Sequence, residues 1–198
     1  MDGRRTSPSV ARNRAPILRA LRTVLPSDAD VLEVGAGTGE HAVFFAGSEP
    51  GWQWQPTDRD PAALASITAW VRHAGLPNLR PPLVLDVAAP WPHRSLDAVF
   101  TANTIHYSPW ETTPGLFAGS RGTLRTGGVL VLYGPFRFHG VLAPESNVQF
   151  EAWLKSQDPR FGVRDLQDLV ALGSEHGLVH ETTLEMPANN HLLVFRRS

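Results

Sequence analysis

The sequence predicts an α/β fold with a mainly parallel, seven-stranded sheet, helices on both faces and an antiparallel hairpin at the C-terminal end. Three observations lead to this prediction. Short apolar runs of strand length alternate with helical patterns over the first two thirds of the 198 residues. A glycine-rich turn follows the first of these runs, as is typical of nucleotide-binding α/β proteins. The last two β-type runs are separated by only four residues, too few for a parallel crossover.

The first elements are predicted from their end signals. Ser7 and Pro8 are a typical N-cap and first helical residue, and the helix that they open runs until Pro26. Asp60 with Pro61 opens another helix. The patterns predict strands at 31–34, 52–57, 83–87, 96–102 and 129–133, and helices from 39, at 61–74 and at 114–125.

The last third departs from the strand–helix alternation. Helices are predicted at 146–154 and 165–176, and β-type runs at 178–186 and 191–196. The short link between the two β-type runs requires an antiparallel hairpin. This hairpin separates the pattern from the ordinary dinucleotide-binding arrangement.

Composition excludes several classes of protein. The 18 basic and 19 acidic residues give a formal net charge of -1, so no global field attracts nucleic acid or an anionic membrane. The chain has no cysteine, which excludes disulfides, thiolate metal sites and a cysteine nucleophile, and we expect no metal. No apolar stretch approaches the roughly 20 residues of a membrane span. We therefore expect a soluble, cytoplasmic protein with a disordered tail at 1–6 and a single domain at 7–198.

The glycine turn is the first candidate binding site. Gly35, Gly37 and Gly39 follow the first strand and open a helix, where a turn needs unusual dihedrals and a ligand needs close approach to the backbone. The alternative is a tight turn with no ligand. Asp58 follows the second strand about 20 residues later, where a carboxylate can accept hydrogen bonds from ribose hydroxyls. Taken alone, Asp58 could instead be a turn or cap residue beside Asp60.

The glycine spacing discriminates between nucleotide ligands. In the dinucleotide fingerprint the third glycine comes one position later, and here that position is Glu40, whose charge would oppose a diphosphate. S-adenosylmethionine has no phosphate and carries a cationic sulfonium. The acidic neighbourhood of Glu33, Glu40 and Asp58 therefore favours S-adenosylmethionine over NAD.

At these positions the chain resembles the class I S-adenosylmethionine-dependent methyltransferases over roughly residues 7 to 198. The glycine turn, the acid after the second strand, Asp86 and the terminal hairpin fall where that superfamily has them. More narrowly, it resembles a methyltransferase-like branch catalogued as a domain of unknown function. The segments that carry this narrower resemblance are Ser7-Pro8-Ser9, Arg12-Asn13-Arg14, Pro16-Ile17-Leu18, Tyr133-Gly134-Pro135-Phe136, Glu145-Ser146-Asn147 and Met186-Pro187-Ala188-Asn189-Asn190.

The resemblance implies a Rossmann-like fold, S-adenosylmethionine as cofactor and a set of cofactor contacts. By this resemblance, Gly35 and Gly37 would face the methionine and ribose portions of the cofactor, and Asp58 would face the ribose hydroxyls. Asp86 with Val87 would face the adenine edge, and Asn103 the methionine side. The alternative is that Asp86 is a turn residue at a strand end and that Asn103 caps a loop.

Acceptor contacts are expected beyond the carboxyl ends of the strands, where open parallel sheets bind ligands. The candidates for substrate binding are Asn13, Phe136, His139, Asn189 and Asn190. Asn13 and Arg14 lie near the apolar stripe of the first helix, so they could contact the methionine carboxylate or the acceptor, or form a solvated helix end. His106 and Tyr107 are the candidates for catalysis, although a lone histidine is more often structural.

Two motifs that the sequence lacks make some classes of methyl acceptor less suitable. Asn103 to His106 follow the fourth strand without the Pro-Pro-aromatic motif of many amide and base methyltransferases. No run of lysine and arginine offers a track for phosphates. A small molecule is the preferred acceptor, with Trp91, Trp110 and Phe136 as possible stacking groups. Two alternatives remain: a non-catalytic S-adenosylmethionine-binding module with a protein partner, and an NAD-dependent oxidoreductase.

Overall fold

The computed structural model describes residues 3–92 and 95–198. Its strands are β1 (Asp30–Val34), β2 (Gln53–Asp58), β3 (Leu83–Val84), β4 (Leu96–Ala102), β5 (Leu124–Gly134), β6 (Leu178–Met186) and β7 (Asn190–Arg197). They form one seven-stranded sheet in the order β3-β2-β1-β4-β5-β7-β6. β7 runs antiparallel to both of its neighbours, and the other pairs are parallel. The predicted sheet with its terminal hairpin is confirmed.

Helices cover both faces of this sheet. They are α1 (Pro8–Val24), α2 (Glu40–Ser48), α3 (Pro61–Ala74), α4 (Thr113–Thr123), α5 (Glu145–Gln157) and α6 (Leu166–Glu175), with a short 3-10 helix at Trp110–Thr112. Side chains alternate along β1, so Val31 joins the core under α1 and α2, whereas Leu32 joins the core under α4 and α6. Both residues are fully buried. A strand with an apolar core on each side is the pattern expected for a central parallel strand.

The helix ends follow the local signals in the sequence. The Asp60 carboxylate accepts a hydrogen bond from the Ala62 backbone N–H at 3.0 Å, and Gly75 ends the same helix in the left-handed conformation. Asp165 caps α6 in the same way, through the Gln167 N–H at 2.9 Å.

Two strands differ in length from the prediction. β3 ends at Val84, not at 87, because the chain then turns: Asp86 accepts a hydrogen bond from the Ala88 N–H at 2.9 Å. β5 begins at Leu124, not at 129. Its pairing with β4 shifts register between Leu96 and Ala98, whose partners are Leu124 and Val129. The apolar pattern in the sequence is therefore interrupted, although the strand itself is continuous.

The start of the chain also differs from the prediction of a disordered tail. The Arg5 N–H donates to the Ser66 hydroxyl at 2.9 Å, and the Trp70 indole N–H donates to the Arg5 carbonyl at 2.8 Å. The guanidinium of Arg4 lies over the Trp70 ring. Residues 3–6 therefore lie against α3, while positions 1 and 2 of the predicted tail are outside the described residues. Among the helices described, none has the length and apolar character needed to cross a membrane.

Candidate functional site

A cavity of about 380 Å³ lies at the carboxyl ends of β1, β2 and β4. Its volume falls in the range of small-ligand and cofactor sites, about 300 to 1,000 Å³. β1 lies between β2 and β4, so the strand order reverses here, and open α/β sheets bind ligands at this point. The wall is formed by Ser7, Ser9, Val10, Asn13, Val34, Gly35, Ala36, Gly37, Thr38, His41, Asp58, Arg59, Leu85, Val87, Ala102, Asn103, Thr104, Ile105, Tyr107, Ser108, Thr112, Thr113 and Leu116.

The glycine turn forms the floor of the cavity. Gly35 and Gly37 have φ values of +69° and +57°, which L side chains rarely adopt. A Cβ at Gly35 would lie 2.4 Å from the Thr104 hydroxyl oxygen, whereas a Cβ at Gly37 would meet no atom within 4 Å. Gly37 therefore leaves open space above the backbone, which is the feature of a turn built for close approach by a ligand.

Asp58, at the end of β2, connects this turn to the next helix. One carboxylate oxygen accepts a hydrogen bond from the Gly37 N–H at 2.9 Å, and the other accepts one from the Asp60 N–H at 3.0 Å. An ionised carboxylate has about four acceptor positions, so two of these remain for a ligand. The side chain faces the cavity with that capacity.

A polar pair from α1 and α2 forms a second wall. The Asn13 side-chain oxygen lies 2.8 Å from His41 Nε2, and the His41 ring stacks on Phe45. Burial, with a smaller effect of the Arg14 charge, lowers the pKa of His41 to about 4. His41 is therefore neutral near pH 7. In either tautomer one ring nitrogen donates a hydrogen bond and the other accepts one.

The start of α1 is attached to the start of α2. The Ser7 N–H donates to the Glu40 carboxylate at 2.5 Å, and the Thr38 hydroxyl donates to the same oxygen at 3.1 Å. These bonds hold Ser7 and Ser9 at the cavity rim. They also keep a carboxylate at the N-terminus of α2, where its charge interacts favourably with the helix dipole.

The turn after β4 forms the opposite wall. Asn103 has a φ of +62°, which asparagine tolerates better than most residues, and its N–H donates to the Tyr133 carbonyl at 2.8 Å. Tyr107 faces the cavity on one side and contacts the rings of Phe150 and Trp153 on the other. Burial raises the pKa of the Tyr107 phenol, so it stays protonated near neutral pH.

Thr113 contributes a buried hydroxyl at the start of α4. The residue is only 1% exposed, and its hydroxyl oxygen has no hydrogen-bond partner within the described residues. It also lines the cavity. A buried polar atom without a partner is unfavourable unless a ligand or water satisfies it, so Thr113 is a further candidate for ligand binding.

The structure brings seven of the predicted site residues together around the cavity. These are Asn13, Gly35, Gly37, Asp58, Val87, Asn103 and Tyr107. The wall also contains His41 and Thr113, which the sequence reasoning missed. A sequence signal exists for His41 alone, since it is a polar residue in the first turn of the helix that the glycines open.

The other eight predicted site residues do not line this cavity, and their functional roles stay predictions: Arg14, Glu33, Asp86, His106, Phe136, His139, Asn189 and Asn190. Glu33 is buried in the core, where its carboxylate accepts a hydrogen bond from the Trp54 indole at 2.8 Å. Burial raises the pKa of Glu33 to about 7. The acid therefore belongs to the core beneath α2.

His106, a predicted catalytic residue, lies in the core. The residue is fully buried and packs edge-on against Phe136, which is itself buried, with ring centroids 5.2 Å apart. Neither ring nitrogen has a hydrogen-bond partner within the described residues. Burial and the nearby charge of Arg164 lower the pKa of His106 to about 3. A fully buried ring that does not line the cavity is not in a position to take a proton from an acceptor there.

Three more of the residues outside the cavity lining have local structural contacts. The Asp86 carboxylate stabilises the turn after β3 through its bond to Ala88. The Arg14 guanidinium lies over the Phe44 ring, with 4.7 Å to the ring centroid. The His139 N–H donates to the Gln167 side chain at 2.6 Å in a loop beside α6.

The two asparagines belong to the hairpin turn between β6 and β7. The Asn189 carbonyl accepts a hydrogen bond from the Asn147 amide at 3.1 Å, which joins the turn to α5. The Asn190 amide donates to the Pro187 and Ala188 carbonyls and closes the turn itself.

A family described as "Protein of unknown function (DUF938)" matches residues 4–197 of this sequence. The chain belongs to this family. The match covers nearly all of the residues that form the sheet and the cavity.

Solved structures are similar to the fold. An O-methyltransferase family 2 protein from Planctomyces limnophilus, in complex with apigenin, superposes with a TM-score of 0.79 at 18% identity. An O-methyltransferase family protein from Burkholderia thailandensis gives 0.81 at 14%. CalO1, a methyltransferase in calicheamicin biosynthesis in its SAH-bound form, gives 0.76 at 17%. The chain therefore has the Rossmann-like fold of class I methyltransferases.

Each superposition includes 96% of this chain but only 60%, 57% and 54% of the three proteins, in the same order. The chain thus spans between half and two thirds of their length.

Proposed function

We propose that this protein binds S-adenosylmethionine in the cavity and transfers its methyl group to a small-molecule acceptor. One observation carries the proposal. The open glycine turn, the Asp58 carboxylate and Val87 border a single cavity at the point where the strand order of a methyltransferase-type sheet reverses. The SAH-bound state of the similar protein CalO1 supports the same choice of cofactor.

The residues on the wall fit the parts of this cofactor. Asp58 retains acceptor capacity for the ribose hydroxyls. Leu85, Val87 and Leu116 supply an apolar surface for the adenine ring. The polar groups of Asn13 and His41, beside Gly35, suit the charged methionine end. The hydroxyl of Thr113 would gain the partner that it lacks.

The start of α2, next to the glycine turn, is unfavourable for NAD. A dinucleotide is held by its diphosphate at the N-terminus of the helix after the glycine turn. That position carries the Glu40 carboxylate, held by Ser7 and Thr38. A diphosphate there would face a fixed negative charge, whereas a sulfonium cofactor would not be opposed.

Bound in the cavity, the cofactor supplies an electrophilic methyl group on its sulfonium. The protein's task is then to align an acceptor atom with that methyl group and to exclude water. Tyr107 and Ser108 offer polar groups at the cavity mouth, and Val10 and Ile105 offer apolar surface. In the described part of the chain, the wall contains one carboxylate, Asp58, and one imidazole, His41, and both already hold hydrogen bonds. We therefore propose that these residues bind and orient rather than remove a proton.

The few basic side chains on the cavity wall favour a small-molecule acceptor over a nucleic acid. Arg59 is the sole basic side chain on the described wall, so the wall has no row of basic side chains to bind the phosphates of a nucleic acid. The net charge of -1 gives no broader attraction for nucleic acid.

The test is methyl transfer from isotope-labelled S-adenosylmethionine to a fractionated metabolite extract. We expect label in a low-molecular-mass product with the wild type and none with Gly37→Val, whose side chain would occupy the open space above the turn. Label recovered only in protein would contradict a small-molecule acceptor. Cofactor binding with no labelled product from any fraction would favour a non-catalytic binding module.

A further inference from the structure

Three aromatic rings form a connected cluster beside the cavity mouth. The Tyr107 ring meets Phe150 and Trp153 edge-on, with centroids 6.0 and 5.8 Å apart, and Phe150 stacks on Trp153 at 6.1 Å. Phe150 and Trp153 lie one turn apart on α5, whereas Tyr107 comes from the turn after β4. These three rings are called the aromatic platform below.

The aromatic platform is open to solvent. Tyr107 is 42% exposed and Trp153 is 48% exposed, and Val148 on the same helix is 41% exposed. Large apolar side chains that cluster on a surface mark binding sites more often than isolated ones do. None of the three rings belongs to either of the two hydrophobic cores of the sheet.

The charged side chains on and just after α5 are held in ion pairs. Glu151 pairs with Lys155 at 2.8 Å and also with Arg137, and Arg160 pairs with Asp158 at 2.7 Å. The three rings of the aromatic platform carry no charge themselves, so the surface that they form suits a neutral ligand.

Tyr107 connects the aromatic platform to the cavity, since one side of its ring belongs to each. We propose that the methyl acceptor is a neutral, planar aromatic compound that packs on Tyr107 and Trp153 and directs its reactive group into the cavity. This inference rests on the proposed methyltransferase function and names its substrate class. A protein acceptor fits less well, because a stable interface uses roughly 20 to 30 residues on each side and this surface offers three exposed apolar side chains.

The experiment uses 2-naphthol as an aromatic probe and decahydro-2-naphthol as its saturated counterpart. Binding of S-adenosylhomocysteine is measured first by calorimetry, and each probe is then titrated into the loaded protein. We expect 2-naphthol to bind more tightly than the saturated probe and to shift the indole NMR signal that disappears in Trp153→Phe. Trp153→Ala should weaken 2-naphthol about two- to tenfold, the effect of losing an aromatic pair. Trp153→Phe should keep most of the affinity.

Val179→Ala is the matched control, because Val179 is also an exposed apolar residue, on β6. It should bind both probes as the wild type does. The proposal is overturned if 2-naphthol does not bind, if Trp153→Ala binds it as well as the wild type, or if both probes bind equally. Failure of S-adenosylhomocysteine to bind, with probe binding that still depends on Trp153, would instead contradict the proposed function and leave the aromatic site standing.

Discussion

The Asp58 carboxylate accepts a hydrogen bond from the Gly37 backbone N–H at 2.9 Å, so the acid at the end of β2 is joined directly to the glycine turn after β1. Its other oxygen accepts from the Asp60 N–H and reaches the start of α3. The Asp58 side chain therefore fixes the position of the glycine turn relative to the start of α3. The same side chain is the proposed ligand of the ribose.

Replacing Asp58 tests that double role. Asp58→Ala should weaken S-adenosylhomocysteine by about 1.5 to 3 kcal/mol, or roughly ten- to a hundredfold, the effect of losing hydrogen bonds to a charged group. Calorimetry measures the affinity. The control is Asp60→Ala, which loses the N-cap of α3 and should cost about 1 kcal/mol of stability while cofactor affinity is retained. Equal affinity in folded Asp58→Ala and wild type would remove Asp58 from the site.

The Asn13–His41 pair predicts a coupled effect on cofactor binding. Their side chains are 2.8 Å apart across the α1–α2 contact, and both face the cavity. Asn13→Ala and His41→Ala should each weaken S-adenosylhomocysteine, and the double variant should lose less than the sum of the two. We expect a coupling of about 0.5 to 3 kcal/mol from a double-mutant cycle measured by calorimetry. Strict additivity would show that the two residues act independently.

The buried Glu33 predicts that stability falls as pH rises. Its pKa is about 7 in the folded protein against 4.5 for the free side chain, so between these values the folded state holds a proton that the unfolded state has released. The stability from this group is therefore complete below pH 4.5 and lost as pH approaches 7. Glu33→Gln does not titrate, so its stability relative to wild type should increase by about 2.5 kcal/mol from pH 5 to pH 8. Urea unfolding at both pH values checks this, and a constant difference would contradict it.

The buried His106 predicts that stability falls as the pH is lowered from 7. Its pKa is about 3 in the folded protein against 6.5 for the free side chain, so the unfolded state binds the extra proton as pH falls through this range. His106→Leu should gain about 2.5 kcal/mol relative to wild type between pH 7 and pH 4.5, measured by urea unfolding.

The same variant tests the location of His106 outside the cavity. Cofactor affinity and turnover of His106→Leu should stay within about twofold of wild type at neutral pH. A general base would instead show a loss of about a hundredfold or more. A loss of that size, with cofactor affinity intact, would return His106 to a catalytic role.

The glycine turn and Asp58 were predictable because their signals are local. A turn that needs positive φ selects glycine, and an acid about 20 residues later falls at the end of the adjacent strand. For His41 the local signal is weaker, namely a polar residue in the first turn of α2. Its place on the wall depends on how α1 packs against α2, which the spacing along either helix does not specify.

Residues that follow the carboxyl ends of strands were expected to line the ligand site, and His106 and the hairpin tip do not. His106 and Tyr107 are adjacent in sequence, but the tight turn that begins at Asn103 points one side chain into the core and the next toward the cavity. Asn189 and Asn190 lie at the tip of the last two strands, which are the strands farthest from the switch point on that side of the sheet. There they contact α5 and close their own turn.

The central claim is that the cavity at the glycine turn binds S-adenosylmethionine, and parallel calorimetric titrations with S-adenosylhomocysteine and NAD test it most directly. We expect S-adenosylhomocysteine to bind the wild type with a dissociation constant in the micromolar range, about -8 kcal/mol. NAD should not bind, because the Glu40 carboxylate occupies the position of a diphosphate. Gly37→Val should abolish the binding of S-adenosylhomocysteine. Tight NAD binding with none for S-adenosylhomocysteine, or unchanged S-adenosylhomocysteine affinity in folded Gly37→Val, would contradict the claim.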